Sequence, residues 1–338
     1  MMKAAFYNGN KSFVVHKSVF QPVEPGTVRI KVAYCGVCGT DVHIYHGNMD
    51  KRVSIPQVIG HEVSGEITEM ASDVTGFKVG DFVAVRPLKP GLEDPSDNGQ
   101  GHIGKNLKFI GIDTPGAMQS YWNVPAYALH KLPANLSLQL GALIEPLAVA
   151  CHDVRLSGLV PGETAVVLGG GPIGVLVALV AQHKGARVLL SEPNENRKAM
   201  AEALGLTVIN PVQSDMVIAV HEFTQGAMAD VVFEVAGVKA TTDVMTEIIR
   251  ARGRIVMVAI HSEPKPIDLF RVFWRELKLI GVRVYEPEDF EEAIRIAESG
   301  KLPLQQLISR VAPIEQIQEV FEEIDNNPEM MKCLIKCN

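Results

Sequence analysis

Cys38-Gly39-Thr40-Asp41-Val42-His43, followed by Gly60-His61-Glu62, places a thiol, an imidazole and carboxylates within a short reach of chain. A thiolate, an imidazole and a carboxylate form a donor set that suits a catalytic Zn²⁺, leaving a fourth position for water or substrate. Cys38 and Glu62 would each bring a negative charge and His61 none, so the centre would be close to neutral. Taken singly, Cys38 reads as a small buried hydrophobe and His61 as a core histidine. The case for a metal therefore depends on what else the chain supplies.

The second chemical stretch is Gly169-Gly170-Gly171-Pro172-Ile173-Gly174. It follows the apolar strand Thr164–Leu168 at once and opens the apolar helix Val175–His183, the strand-turn-helix setting that G-x-G-x-x-G requires. Gly169 allows the tight turn, Gly171 lets a pyrophosphate approach the backbone, and Gly174 packs helix on strand. Pro172 and Ile173 lie at the helix start, whose N–H groups face the phosphates. The next strand, Arg187–Ser191, ends at Glu192, placed to accept the hydroxyls of an adenosine ribose and to repel a 2′-phosphate. With no cation immediately after it, and Arg197 the nearest to follow, the pattern favours NAD over NADP.

The elements around these stretches divide the chain. Residues 1 to about 85 are β-rich: Thr27–Ala33 and Glu62–Met70 alternate with period two, and Gly80-Asp81 turns into the strand Phe82–Val85. Short strands with Gly and Pro punctuation suggest a partly closed barrel, with Cys38 and His61 at its rim. From Pro87 to Ile112 the periodicity disappears into a Gly- and Pro-rich loop. Ala117–Val124 and Ala128–Leu132 resume strand character. Leu143–Ala148 then opens a helix that carries Glu145, a carboxylate inside an apolar run that needs a partner. Beyond it, apolar strands alternate with helices, the pattern of a doubly wound parallel sheet covered on both faces. A helix is expected near Thr241–Arg250, with strands at Arg254–Ile260 and Leu279–Tyr285. The amphipathic helices Glu288–Ser299 and Ile314–Ile324 and the short strand Met331–Lys336 return to the first domain. The boundaries are 1–146 for a catalytic domain, 147–286 for a dinucleotide-binding domain, and 287–338 for the return.

Composition bounds the rest. A chain of 338 residues suits two domains, and 47% hydrophobic with 21% charged residues is an ordinary globular mixture. A net charge of -7 without a basic cluster argues against nucleic acid. The longest apolar run, Ile173–Ala181, is too short for a membrane span. Five cysteines, an odd number, point to free thiols and a reducing cytoplasm. Cys35-x-x-Cys38 has no second pair for a zinc ribbon, and Cys35, Cys151, Cys333 and Cys337 read as structural.

This order of features resembles the zinc-dependent medium-chain alcohol dehydrogenases over essentially the whole chain. The matching stretches are Cys38–His43, Gly60–Glu62, Gly80-Asp81, Glu145-Pro146, Gly169–Gly174, Glu234–Gly237 and Arg252–Val256. Within the family the chain looks most like the polyol (sorbitol-type), butanediol and threonine dehydrogenases. The resemblance implies a GroES-like catalytic domain, a Rossmann domain, one catalytic zinc per chain and NAD. It implies that Cys38 and His61 ligate zinc, with either Glu62 or Glu145 as the third ligand and the other close by. It further implies that Asp41 accepts the remaining imidazole N–H, that Thr40 sits beside the substrate oxygen, and that His43 passes a proton to solvent. Thr40, His43 and Glu62 would then serve catalysis on a polar secondary alcohol: a polyol, inositol, sugar acid or hydroxyamino acid. Arg283 and Tyr285 either reach that substrate or form an interface or surface pair.

One departure matters. Family members usually carry four closely spaced cysteines on a structural zinc, whereas the corresponding stretch, Pro87–Phe109, contains none. That lobe is expected to be held by packing or by a neighbouring subunit. The resemblance also implies a homo-oligomer, dimer or tetramer, pairing along an edge near Leu279–Tyr285. Two rivals remain: a zinc-free NADPH reductase of the same fold, which Cys38, His61 and Glu192 oppose, and a nucleotide-binding sensor that has lost the reaction, which the intact relay opposes.

Overall fold

A computed structural model describes residues 2–338. The chain divides into two compact units, one running to Glu145 and resuming at Glu286–Asn338, the other Pro146–Tyr285.

In the first unit, β1 (Met2–Tyr7), β2 (Phe13–Ser18), β3 (Thr27–Gly36), α1 (Gly39–Tyr45), β4 (Gln57–Val58), β5 (Glu62–Met70) and β6 (Phe82–Val85) come first. The stretch from Pro87 is not wholly irregular: β7 (Leu88–Lys89) pairs with β8 (Lys108–Phe109), closing it at its base. β9 (Tyr121–Pro125), β10 (Leu129–Lys131) and α2 (Leu138–Gly141) follow, and α3 (Ile144–Leu156) leads into the second unit. Ala117–Ser120, expected as strand, lies outside β9 and meets β1 through a bridge at Gln119 and a hydrogen bond from Lys3 N to Ser120 Oγ.

The second unit is β11 (Thr164–Leu168), α4 (Pro172–His183), β12 (Arg187–Ser191), α5 (Glu195–Ala203), β13 (Thr207–Ile209) and α6 (Met216–Phe223). It continues with β14 (Ala229–Glu234), α7 (Lys239–Val244), β15 (Ile249–Met257), α8 (Leu269–Trp274) and β16 (Lys278–Gly281). Its sheet runs β13-β12-β11-β14-β15-β16, every neighbouring pair parallel. All five residues of β11 are buried, as a strand covered on both faces must be. Val166, Leu168, Val232, Ile248 and Ile255 centre the core on one face. The helix expected to reach Arg250 ends at Val244, because Ile249–Met257 is recruited as one long strand beside β14. The edge strand stops at Gly281 rather than continuing to Tyr285.

The chain then returns to the first unit with α9 (Pro287–Ser299), β17 (Ile308–Pro313), α10 (Ile317–Asn326) and β18 (Lys332–Lys336). The main sheet there runs β10-β6-β5-β3-β18-β17, with β9 also on β3, and β2-β1-β4 forms a second, smaller sheet. The C-terminal strand therefore lies antiparallel beside β3, directly before the Cys38 segment.

Candidate active site

Cys38 is the N-cap of α1. Its sulfur accepts a hydrogen bond from Thr40 N at 3.5 Å, and the Asp41 carboxylate accepts from Cys38 N at 2.9 Å. Local backbone chemistry thus orients Cys38 before any ligand arrives. His61 and Glu62 lie where the chain enters β5. Cys38, His61 and Glu62 bring their ligand atoms within 4.8 Å of one another, with His61 and Glu62 buried and Cys38 half-buried.

Asp41 is fully buried, and its Oδ1 lies 3.6 Å from His61 Nδ1, just beyond a closed hydrogen bond. Both atoms are buried without a hydrogen-bond partner. Burial alone would push the imidazole pKa down, but Asp41 and the Cys38 sulfur outweigh it and hold His61 well above its ordinary range. The pocket therefore draws positive charge onto His61. A sulfur, an imidazole and a carboxylate converging in a field that favours a cation fit a zinc ion.

Lys332 is the functional candidate that motif reading passed over. Its Nζ donates to Glu62 Oε1 at 2.6 Å and to Val37 O at 3.1 Å, and the side chains of Lys332 and Glu62 are 3% and 1% exposed. Gly36 makes this possible. It pairs with Glu62 on β5 and with Leu334 on β18, and a Cβ there would collide with the Glu62 carboxylate. The lysine stays charged: burial lowers its pKa, but Glu62, Cys38 and Glu145 raise it above the ordinary value. The only signal in the sequence was a lysine directly before the apolar run Cys333–Ile335.

Glu145 is 6% exposed and belongs to no three-residue ligand group among the described residues, although its charge bears on Lys332. Thr40 is half-buried on α1, and His43 is exposed in the helix's last turn. Tyr285 is fully buried and Arg283 is exposed.

The nucleotide-binding stretch is built as its spacing requires. Gly169 has φ 115°, and a Cβ on Gly174 would collide with the Gly169 carbonyl oxygen. Pro172 is the first residue of α4, and Ile173 is half-buried in its first turn. Glu192 is buried at the end of β12, and its carboxylate accepts from Gly170 N at 2.9 Å and Asn194 N at 2.8 Å. Arg197 Nη1 lies 3.9 Å from where a Cβ on Gly171 would sit, and its Nε is buried with no hydrogen-bond partner. Glycine cradle, acidic side chain and guanidinium thus gather at the carboxyl ends of β11 and β12, where a dinucleotide fits.

In the lobe, Asp94 and Asp97 act as turn caps: Asp94 accepts from Ser96 N at 3.0 Å, and Asp97 accepts from Lys105 N at 2.9 Å.

Residues 24–134 match the alcohol dehydrogenase GroES-like domain, and residues 172–299 match the zinc-binding dehydrogenase family. The chain belongs to the zinc-type medium-chain alcohol dehydrogenases, enzymes that move a hydride between a secondary alcohol and a nicotinamide cofactor. A 2-dehydro-3-deoxy-L-galactonate 5-dehydrogenase of Pseudoalteromonas atlantica is 54% identical over 338 residues, covering 100% of this chain and 99% of the relative. The 2R,3R-butanediol dehydrogenase of Bacillus subtilis has a similar structure, with TM-score 0.92 and 30% identity over 100% of both chains. A zinc-binding dehydrogenase of Sinorhizobium meliloti 1021 bound to NADP matches with TM-score 0.92 and 30% identity over 99% of each chain. Among the described residues, no helix is long and apolar enough to cross a membrane.

Proposed function

We propose that the chain oxidises the secondary alcohol of a sugar acid of the 2-dehydro-3-deoxy type, using NAD⁺ and one zinc ion. The observation that carries the substrate is the 54% identity, across the whole chain, to a dehydrogenase of such an acid. Cys38, His61 and Glu62 would hold the metal, since these three side chains converge; Glu145 would act on Lys332 from outside. Bound there, zinc supplies Lewis acidity to the substrate hydroxyl, and the nicotinamide accepts the hydride.

The chain's own residues do the remaining work. The buried Asp41 carboxylate faces His61 Nδ1 at 3.6 Å, so a slight closure on metal binding would let it accept the ring N–H and fix the ring. The Thr40 hydroxyl relays the substrate proton, which it cannot keep, to His43, whose exposed ring returns it to solvent. Gly169, Gly171 and Gly174 leave room for the pyrophosphate, and Arg197 meets its charge. Glu192 accepts the adenosine ribose hydroxyls and disfavours a 2′-phosphate, which supports NAD over NADP. Five free cysteines agree with a reducing cytoplasm.

A homo-oligomer is also inferred. β16 is an edge strand, and beside it in sequence α8 leaves Phe270, Phe273 and Trp274 67%, 75% and 71% exposed. Exposed aromatic side chains and an open sheet edge are each surfaces that a second copy would cover.

The test is NAD⁺ reduction with a 2-dehydro-3-deoxy sugar acid beside 2,3-butanediol and threonine. At least tenfold higher kcat/KM for the sugar acid supports the reading. Equal or higher kcat/KM for butanediol or threonine overturns the substrate assignment.

A further inference from the structure

We infer that the ion pair Arg52–Asp113 is a positioning device for the zinc ligands, joining the segment that carries Cys38 to the wall behind His61. Arg52 Nε donates to Asp113 Oδ1 at 2.6 Å and Nη2 to Oδ2 at 2.8 Å, a bidentate fork. The same carboxylate accepts from Phe109 N at 2.7 Å, while Asp113 N donates back to Phe109 O at 2.8 Å. Asp113 therefore closes the turn Phe109–Asp113 on itself and ties it to Arg52. A second contact runs in parallel: the buried Gln57 donates from Nε2 to Ile112 O at 2.8 Å.

Both ends of this clamp lead to the site. Arg52 follows α1, the helix capped by Cys38, and its backbone N–H bonds Met49 O at 2.8 Å. On the other side, the Phe109 ring meets the His61 imidazole edge-on, with centroids 6.0 Å apart and an interplanar angle of 82°. Behind it the backbones touch: a Cβ on Gly111 or Gly116 would collide with Gly60 O, and one on Gly111 would lie 3.1 Å from His61 Cβ. Ala117 N donates to Gly60 O at 3.0 Å. A shift of the turn is thus passed directly to His61 with little slack.

The clamp also sits where the chain needs one. The preceding segment, Pro87–Phe109, has no cysteines with which to bind its own metal, and its base is closed by the two-residue pairing of β7 and β8 and by Ile110 N donating to Pro87 O at 2.8 Å. A half-exposed ion pair adds little to global stability, so this one acts mainly on geometry. Groups that orient metal ligands change metal affinity by roughly 10–100-fold when lost.

The inference rests on the zinc reading above, and the experiment separates the two. Zinc affinity is measured by chelator competition on wild type, Arg52→Gln, Arg52→Lys, Asp113→Asn and Phe109→Leu. Thermal midpoints of the metal-free proteins and the Co²⁺–thiolate absorption band are recorded in parallel. Arg52→Gln and Asp113→Asn are expected to weaken zinc by about tenfold and shift the cobalt band, with metal-free midpoints nearly unchanged. Arg52→Lys should recover part of the loss, and Phe109→Leu, which keeps the ion pair, should weaken zinc as well. Zinc affinities within about twofold of wild type in Arg52→Gln and Asp113→Asn would overturn the clamp. So would a loss matched by an equal collapse of the metal-free protein. Wild type that binds no zinc would overturn the zinc reading itself.

Discussion

Lys332 Nζ lies 2.6 Å from Glu62 Oε1, joining the first residue of the C-terminal strand to one of the three zinc-ligand candidates. The pair is buried and spans β18 and β5 across Gly36. Removing one partner of such a pair leaves an uncompensated buried charge, which costs about 3–5 kcal/mol. Lys332→Met should therefore destabilise the metal-free protein by that order in urea unfolding. Glu62→Gln in the same background should recover part of the loss. Gly36→Ala should mimic it, because the added methyl displaces the carboxylate.

Glu192 sets cofactor choice in this account. Both of its oxygens are already oriented by Gly170 and Asn194, so the side chain is fixed before a nucleotide binds. Glu192→Ala should raise the KM for NAD⁺ about tenfold through lost ribose hydrogen bonds, and NADP⁺ should become usable. Steady-state kinetics with the two cofactors checks this. An unchanged NAD⁺/NADP⁺ ratio would remove Glu192 from that role.

Thiol chemistry should single out Cys38. Burial pushes the Cys333 thiol up to about 11 and Cys337 to about 12, and it raises Cys35 well above the ordinary value. These three stay protonated and shielded at pH 7–9, where only the thiolate reacts. Iodoacetamide with mass mapping should label the half-buried Cys38 in metal-free protein and leave Cys35, Cys333 and Cys337 unmodified. Added zinc should protect Cys38.

The inferred oligomer gives a further outcome. Phe273→Glu with Trp274→Glu places charge on the exposed face of α8 and should convert the oligomer to a monomer in light scattering. Unchanged mass would place the interface elsewhere.

What the sequence made legible was the chemistry with local grammar. Gly169–Gly174 and Glu192 are adjacent to the strands that position them, and Cys38, Thr40 and Asp41 cap one short helix. Lys332 was hidden because its partner lies far away in sequence and a lysine at either end of the run Cys333–Ile335 reads as an ordinary solvated flank. α8 was missed for the opposite reason: Leu269, Phe270, Phe273 and Trp274 face outward, so no amphipathic pattern points to this unit's core. Ile249 and Arg250 read as the end of a helix because the pairing of Ile249 with Ala229 on β14 is a tertiary choice that local propensity does not encode. The lobe looked irregular because its order comes from side-chain caps and Arg52, not from periodicity.

The central claim is that Cys38, His61 and Glu62 hold one catalytic zinc. Metal content per chain, measured on wild type and on Cys38→Ala together with NAD⁺ reduction, tests it most directly. The account predicts one zinc in wild type, and loss of both metal and activity in Cys38→Ala with NADH binding retained. Wild type that turns over without zinc, or a Cys38→Ala variant that keeps both metal and activity, would contradict it.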